Sequence, residues 1–345
     1  MARADRTIRV ALTSVGTPLS VSLSRALRDG HEGLRAHVVG LDANPAANGA
    51  WFCDAFRVIP RIGDPGFAAA LEQIVTEERI EAVIPQTTND VAPLDAIRGR
   101  LESAGAVVIG ASSACAELAD SKFRAYALCK EIGVPVPGFG RADDPAGLAV
   151  LARELGYPER DVCVKPVHSS GSRGFRIVSA RTDRRDQLLH GRPGYLHMTL
   201  EELLEVLGDG PFDFVVMERI EAGESSVDGY AHEGSVVAMH AKTRENAVTG
   251  LAMDFRVIEA PDLLAHAAAL VDAMGLHGFF NIQFIGDRLL EVNPRISTII
   301  RQPTFDLPWI GLADALGVDL GAPPVPCPGW MAVRYHDQVD VPPGA

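Results

Sequence analysis

Between Ile8 and Ile109 short apolar runs alternate with amphipathic stretches, and this rhythm limits the folds open to the chain more than any other feature. Strand-like segments at Ile8–Thr13, His37–Leu41, Ala82–Pro85 and Val107–Ile109 are separated by helical patterns running through Arg28, near 66–79 and near 91–104. Strand, helix, strand in repetition predicts a parallel, doubly wound sheet covered on both faces. Ligands of such sheets gather at the carboxyl ends of the strands, so Ser14, Gly16, Asp42, Asn44, Thr88, Asn89 and Asp90 are candidates for a small-molecule contact. The same residue types also close turns and cap helices. The Ser14-Val15-Gly16-Thr17-Pro18 loop lacks a full G-x-G-x-x-G pattern, which argues against a dinucleotide site.

Length and charge narrow the class further. A chain of 345 residues, 47% hydrophobic, has material for two or three packed lobes. Its formal charge of −13 disfavours a nucleic-acid partner but leaves room for a local cationic pocket. The first residues carry no apolar signal region, and no later stretch is long and charge-free enough to cross a bilayer, so a cytoplasmic enzyme without membrane contact is expected. Cys53, Cys115, Cys129, Cys163 and Cys327 are scattered without paired spacing, which suggests neither a disulfide framework nor a zinc site. Only four lysines stand against twenty-eight arginines, so Lys122, Lys165 and Lys242 are unusual choices where they occur.

A second unit opens at Ala119-Asp120-Ser121-Lys122, with a helix to Glu131 that stops at Gly133 before Pro135 and Pro137. The strand Asp161–Pro166 follows, then His168-Ser169-Ser170-Gly171-Ser172-Arg173-Gly174, then the strand Phe175–Ser179. Strand, small-residue loop, strand is the layout of a flap whose backbone N–H groups can approach phosphate oxygens. The polar stretch 181–194 reads as an excursion from that flap, and Phe212–Glu218 as a buried strand. From Pro323 onward the proline-rich tail is irregular or an edge strand.

Near the C-terminal end, Asn281–Ile285 and Leu289–Arg295 read as arms of a hairpin around a Gly286-Asp287-Arg288 loop. Pairing Ile285 with Leu289 sets Gln283 opposite Glu291 and Asn281 opposite Asn293, while Ile282, Phe284, Leu290 and Val292 point the other way. The oxygens of Gln283, Glu291 and Asn293 then share one face, the donor set a hard cation takes beside polyphosphate. Arg295 lies one pleat further, placed for a phosphate or acyl oxygen. A solvated polar face is the plain alternative.

In order, Lys122, Val164-Lys165-Pro166, the Ser/Gly flap, Glu218 with Gly223–Asp228, and Gln283 with Glu291-Val292-Asn293-Pro294-Arg295 resemble the ATP-grasp superfamily, and within it the synthetase domains of carbamoyl phosphate synthetase. The resemblance spans residues 7 to about 320. It implies a pre-ATP-grasp, Rossmann-like domain (1–112), an ATP-grasp domain (113–325) with a mobile lid at about 134–219, and a tail (326–345). It also implies an α/β and α+β fold in which ATP and Mg²⁺ or Mn²⁺ are clamped between lobes. Lys122 and Lys165 would reach the phosphates, and Ser169, Ser170, Gly171, Ser172 and Gly174 would cover them. Backbone groups of Glu218, Arg219 and Ile220 would hold adenine, Glu224 the ribose hydroxyls, and Gln283, Glu291 and Asn293 the metal. The flap is less glycine-rich than the family pattern. A glutamine at 283 follows the synthetase pattern rather than the two-carboxylate one, and there is a single copy of the unit.

The implied activity is ADP-forming ligation of a carboxylate to an amine through an acyl phosphate. Arg295 would steady that intermediate, and Lys242 and Arg244 would bind the acid or shield the growing charge, a pair of solvated strand charges being the plain alternative. His168 is a candidate for substrate contact or a polar loop residue without duty. Asp228 either positions the Glu291 region or is structural. Small acids and amines, a class that includes amino acids, are the expected substrates, and the architecture is compatible with a homodimer. A carboxylate or carbamate kinase, a partner-dependent synthase subunit, a non-catalytic nucleotide-binding module and a dehydrogenase built on the first sheet remain as alternatives.

Overall fold

The computed structural model describes residues 6–169, 173–191, 196–246, 252–321, 324–335 and 337–340. The first sheet comprises β1 (Arg6–Leu12), β2 (Leu34–Asp42), β3 (Ala55–Val58), β4 (Ala82–Ile84) and β5 (Val107–Val108). The strands are all parallel and lie in the order β3-β2-β1-β4-β5. Helices α1 (Leu19–Asp29), α2 (Phe67–Glu77), α3 (Thr88–Ala96) and α4 (Arg98–Ser103) connect them. Ile8, Val10 and Leu12 pack on one face with Leu23 and Leu27 of α1, while Ala11, Val39 and Leu41 pack on the other with Leu71 and Val75 of α2. Burial on both faces is why these strands read as continuous apolar runs.

Two departures from expectation have local causes. The helix expected near 91–104 is two helices, because the chain leaves helical geometry at Ile97 (φ −114°, ψ 10°). It also starts earlier, where Thr87 and Asp90 form a reciprocal capping box. β3 was not anticipated, being short and only partly buried.

Helices α5 (Ser113–Asp120) and α6 (Lys122–Ile132) lead into a second sheet of β6 (Phe139–Ala142), β7 (Val162–Pro166), β8 (Arg176–Val178), β9 (His197–Met198) and β10 (Phe214–Glu218), ordered β6-β10-β7-β8-β9. Helices α7 (Pro145–Glu154) and α9 (Leu200–Leu207) cover this lobe around Leu148, Val162, Val164 and Val216. The polar stretch read as an excursion from the flap contains α8 (Arg184–His190), a helix not anticipated, started by the Asp183 side chain accepting from the Arg185 and Asp186 amides.

A third, antiparallel sheet holds β11 (Glu224–His232), β12 (Ser235–Arg244), β13 (Asp254–Ile258), β14 (Gly278–Ile285), β15 (Arg288–Asn293) and β16 (Met331–Val333), in the order β15-β14-β11-β12-β13-β16. One face packs Val227, Ile282, Phe284 and Val292 against α5, α6 and α10 (Pro261–Ala273). At the far end, Tyr230 and Phe279 join a core with Ile8, Leu23 and Trp309 of α11 (Leu307–Ala315). The Trp309 indole N–H donates to the Ala26 carbonyl of α1 at 3.1 Å, so the first and third sheets share one core. At the same junction, Gly278 (φ +88°) comes so close to Gly110 that an added Cβ would lie 3.0 Å from its amide nitrogen.

His240 of β12 is buried at this seam, stacked on Phe305 with ring centroids 4.8 Å apart. The Gln302 amide nitrogen lies 3.3 Å from Nδ1, which accepts a proton only while the ring is neutral. Burial first, and then Lys242, push the imidazole down to about 4, against partial opposition from Asp228. A depressed histidine contributes stability that is complete above its unfolded value near 6.5 and is lost as pH falls toward 4. Replacing His240 with Asn should therefore flatten the fall in unfolding free energy across that window, read by urea denaturation at successive pH values.

Candidate active site

The hairpin of β14 and β15 turns through two residues rather than the expected three, with Ile285 opposite Arg288 and Phe284 opposite Leu289. A bulge at Leu290 takes up the extra residue, so Gln283 still faces Glu291 and Asn281 still faces Asn293. Leu289, not Leu290, is the fully buried residue beside Phe284. Across β11 and β12 the same face carries Ser226, Asp228, His240 and Lys242.

On this face Asn281, fully buried, is the hub. Its Nδ2 donates to Asp228 Oδ1 at 3.1 Å, and its Oδ1 accepts from Gln283 Nε2 at 2.9 Å and Asn293 Nδ2 at 3.4 Å. Asn293 Nδ2 also donates to Glu291 Oε1 at 3.0 Å. With both amide nitrogens turned inward, the carbonyl oxygens of Gln283 and Asn293 occupy the opposite edges, alongside the Glu291 carboxylate. Hard oxygens with one negative charge fit a divalent cation that keeps most of its water or takes phosphate oxygens. Among the described residues no cluster of three or more His, Cys, Asp or Glu could hold a metal on its own.

The charges around Glu291 come from separate elements. Burial alone would push its carboxyl up, but the Asn293 hydrogen bond together with Lys165, Lys122 and Arg295 outweighs it and holds the group below the ordinary glutamate value. Lys122, on α6, donates to the Ser169 carbonyl at 2.6 Å. Burial chiefly, with Lys165 adding and Glu291 opposing, lowers its pKa. Lys165, on β7, lies over the Phe175 ring at 5.3 Å. Both lysines thus bring positive charge to bear on the carboxylate.

At the flap, Gly174 (φ +74°) has its Cα so near the Pro166 ring that an added Cβ would be 2.5 Å away. Ser170, Gly171 and Ser172 lie outside the described residues. A cavity of about 410 Å³ opens here between Asn89, Asp120, Pro166, His168, Ser169 and Arg173. His168 Nδ1 is 2.9 Å from Asp120 Oδ2 at its mouth. Of the candidates on the first sheet, Asn89 borders this cavity, whereas Ser14, Gly16, Asp42 and Asp90 bond across the loops at the strand ends. Asp90 accepts from Thr13 Oγ1, Ser14 Oγ and the Thr87 hydroxyl and amide, and Asp42 accepts from the Gly16 and Asn44 amides.

Several of the expected ligand-contact residues also bond within the protein. The Glu218 amide donates to the Gly138 carbonyl at 2.8 Å and its side chain accepts from the Gly138 amide, so this residue offers no free N–H to a base. The Arg219 guanidinium is paired with Asp161, and Ile220 is partly buried beyond the strand end. Glu224 faces Arg244 across β11 and β12, with Nε 3.5 Å from Oε2. Arg295 is partly buried, and its Nη1 donates to the Ile296 carbonyl at 2.9 Å. Burial lowers its pKa against the pull of Glu291, Asp228 and Asp90.

Lys242 corrects the expectation that it binds the acid. It is fully buried, with Nζ 2.8 Å from Asp228 Oδ2 and donating to the Thr298 carbonyl at 2.6 Å. A lysine bound on two sides beneath the polar face neutralises Asp228 rather than meeting a ligand. Asn281 was legible from the strand alternation as the partner of Asn293, but its role as hub was not. Thr298 had no sequence signal.

Residues 211–338 match the family described as ATP-grasp in the biosynthetic pathway with Ter operon, and residues 10–109 match the PylC-like N-terminal domain. The carbamoyl phosphate synthase large chain of Rubrobacter xylanophilus is 30% identical over 254 residues, which is 69% of this chain and 22% of that protein. Among solved structures, N5-carboxyaminoimidazole synthetase from Staphylococcus aureus complexed with ADP aligns with TM-score 0.64 and 11% identity over 96% of this chain and 81% of that one. The L-amino acid ligase from Bacillus licheniformis aligns with TM-score 0.58 and 16% identity over 90% and 74%. The chain spans only about a fifth of the Rubrobacter protein, and the structural likenesses establish the fold. The architecture is that of an ATP-grasp domain behind a PylC-like domain. No described helix is long and apolar enough to cross a membrane.

Removing one partner of the Asp228–Lys242 pair would leave a buried charge uncompensated, at a cost of about 3–5 kcal/mol. Lys242→Met should lose that much stability, and the double variant Lys242→Met/Asp228→Asn should recover most of it, as measured by chemical denaturation.

Proposed function

We propose that this chain, which carries an ATP-grasp domain behind a PylC-like domain, is an ADP-forming ligase that joins a small carboxylic acid to an amine. The observation that carries the reading is the convergence of an ionised Glu291, the Gln283 and Asn293 amides, and Lys122 and Lys165 on one cleft. Such a set suits a triphosphate. The lysines offset the charge that spreads over the transferring phosphoryl group, and Glu291 with the two amides would hold Mg²⁺. When bound, that ion supplies charge neutralisation at the phosphate oxygens.

In this reading a carboxylate oxygen of the acid attacks the γ-phosphorus of ATP. The P–O bond to ADP breaks, and an acyl phosphate forms beside Arg295. The amine nitrogen then attacks the acyl carbon and loses a proton, and inorganic phosphate leaves with the former carboxylate oxygen. The cavity bordered by Asn89 and His168 gives the amine a route in from the flap side. Holding acid and phosphoryl donor in contact supplies most of the rate advantage in this route, in which the substrate itself attacks the phosphorus. Soluble acids and amines of amino-acid size suit these dimensions, and a homodimer is compatible with the fold.

The stretch shared with carbamoyl phosphate synthase supports a second reading, in which the acyl or carbamoyl phosphate is itself the product. Incubation with ATP, Mg²⁺ and a panel of acids and amines separates the two. Amine-dependent release of ADP and phosphate supports ligation, whereas product trapped by hydroxylamine without any amine supports the kinase. Absence of ADP across the panel overturns both.

Glu291→Gln keeps the shape and removes the charge. ADP release should fall by at least about a hundredfold while thermal stability stays near wild type. Turnover at the normal rate in this variant would remove Glu291 from the site.

A further inference from the structure

Arg334 follows β16 in the proline-rich tail, a position no motif singles out. Its amide donates to the Met253 carbonyl at 2.8 Å, which fixes the backbone against β13. The guanidinium lies over the Phe255 ring, 5.3 Å from the centroid, and Nη2 donates to Thr298 Oγ1 at 2.7 Å. Nη1 is buried and has no hydrogen-bond partner.

The charges nearby leave this cation uncompensated. Asp228 is taken by Lys242, which shares Thr298 and the Phe255 ring with Arg334. Glu224 lies beside Arg244. No described carboxylate makes an ion pair with Arg334. Burial first, and then Arg244, hold its pKa below the ordinary arginine value. A buried donor left without an acceptor is unfavourable, and an anion would supply the acceptor. An anion at this point would satisfy Nη1 and relieve the repulsion between Arg334 and Arg244 together.

Position decides which anion. Thr298, which Arg334 holds, is three residues beyond Arg295. The lysines assigned to the triphosphate surround Glu291 instead, and neither they nor Glu291 is among the charges acting on Arg334. Arg244, by contrast, acts on both Arg334 and Arg295, which groups the unpartnered donor with the residue assigned to the acid rather than with the nucleotide's lysines. We propose that Arg334, assisted by Arg244, binds a second anionic group on the acid substrate, which is accordingly a dicarboxylate or amino dicarboxylate whose other carboxylate reacts beside Arg295. This deepens the ligase reading and rests on it. A planar fork that already spends one nitrogen on Thr298 suits a carboxylate better than a single-point contact.

The test is calorimetric titration of the full chain with Mg²⁺ and a nonhydrolysable ATP analogue present. The probes are matched pairs of diacid and half-amide: glutamate and glutamine, aspartate and asparagine, succinate and succinamate. The expected result is that at least one diacid binds about tenfold or more tightly than its half-amide. In Arg334→Gln that ratio should fall to about twofold or less while the analogue's own affinity holds. Arg334→Lys, which keeps the charge without the fork, should retain part of the preference and guards against misfolding of the glutamine variant. No diacid preference in any pair, or a preference that survives Arg334→Gln, overturns the proposal. Equal weakening of the nucleotide alone would assign the donor to phosphate and overturn it too. Because the titration reads binding without turnover, a missing ADP signal would sink the ligase reading and leave this result standing by itself.

Discussion

One buried carboxylate organises the polar face on which everything else rests. Asp228 sits in the middle of a six-stranded sheet, compensated by Lys242 from the next strand and bonded by Asn281 and Ser226. A negative charge in that position is tolerable only because every oxygen has a partner. The arrangement in turn fixes Asn281, whose single Oδ1 holds two amide nitrogens and so sets how Gln283 and Asn293 present their oxygens. The outer layer that would meet ligand is therefore rigid because an inner layer, never exposed, has been satisfied first.

The same logic separates the cations by task. Lys242 and Arg219 are spent on internal carboxylates, whereas Lys122 and Lys165 approach Glu291 from a different sheet and a different helix. Lys165, on the second sheet, can change its separation from Glu291 if the lobes move, whereas Lys122, on a helix packed against the third sheet, and charges within one sheet cannot. An enzyme that must grip and then release a highly charged product benefits from placing its grip across a joint.

How much of this was legible in the sequence follows from which signals are local. The parallel sheet was readable because burial on both faces writes uninterrupted apolar runs, as in Ile8–Leu12. The hairpin's facing pairs were readable because side chains alternate with period two. Its loop length was not, since the bulge at Leu290 cancels the error and leaves both pairs intact. α8 was hidden in a polar stretch because nothing on it is buried, and only the Asp183 cap marks its start. The fate of Lys242 could not be read at all. An exposed and a buried lysine look alike in sequence, and its partner is fourteen residues away on an adjacent strand. Arg334 was invisible for the same reason, as its surroundings are assembled from β12, β13 and the segment after Arg295.

The indole of Trp309 and the carbonyl of Ala26 are 283 positions apart along the chain. During synthesis the first sheet must leave the ribosome long before the helix that covers part of α1 exists. Until that helix arrives, the nascent N-terminal half displays an oily surface to whatever is near, and a chaperone or a crowded neighbour competes for it. Vectorial translation thus sets a waiting period for this fold that refolding of the finished polypeptide would not experience.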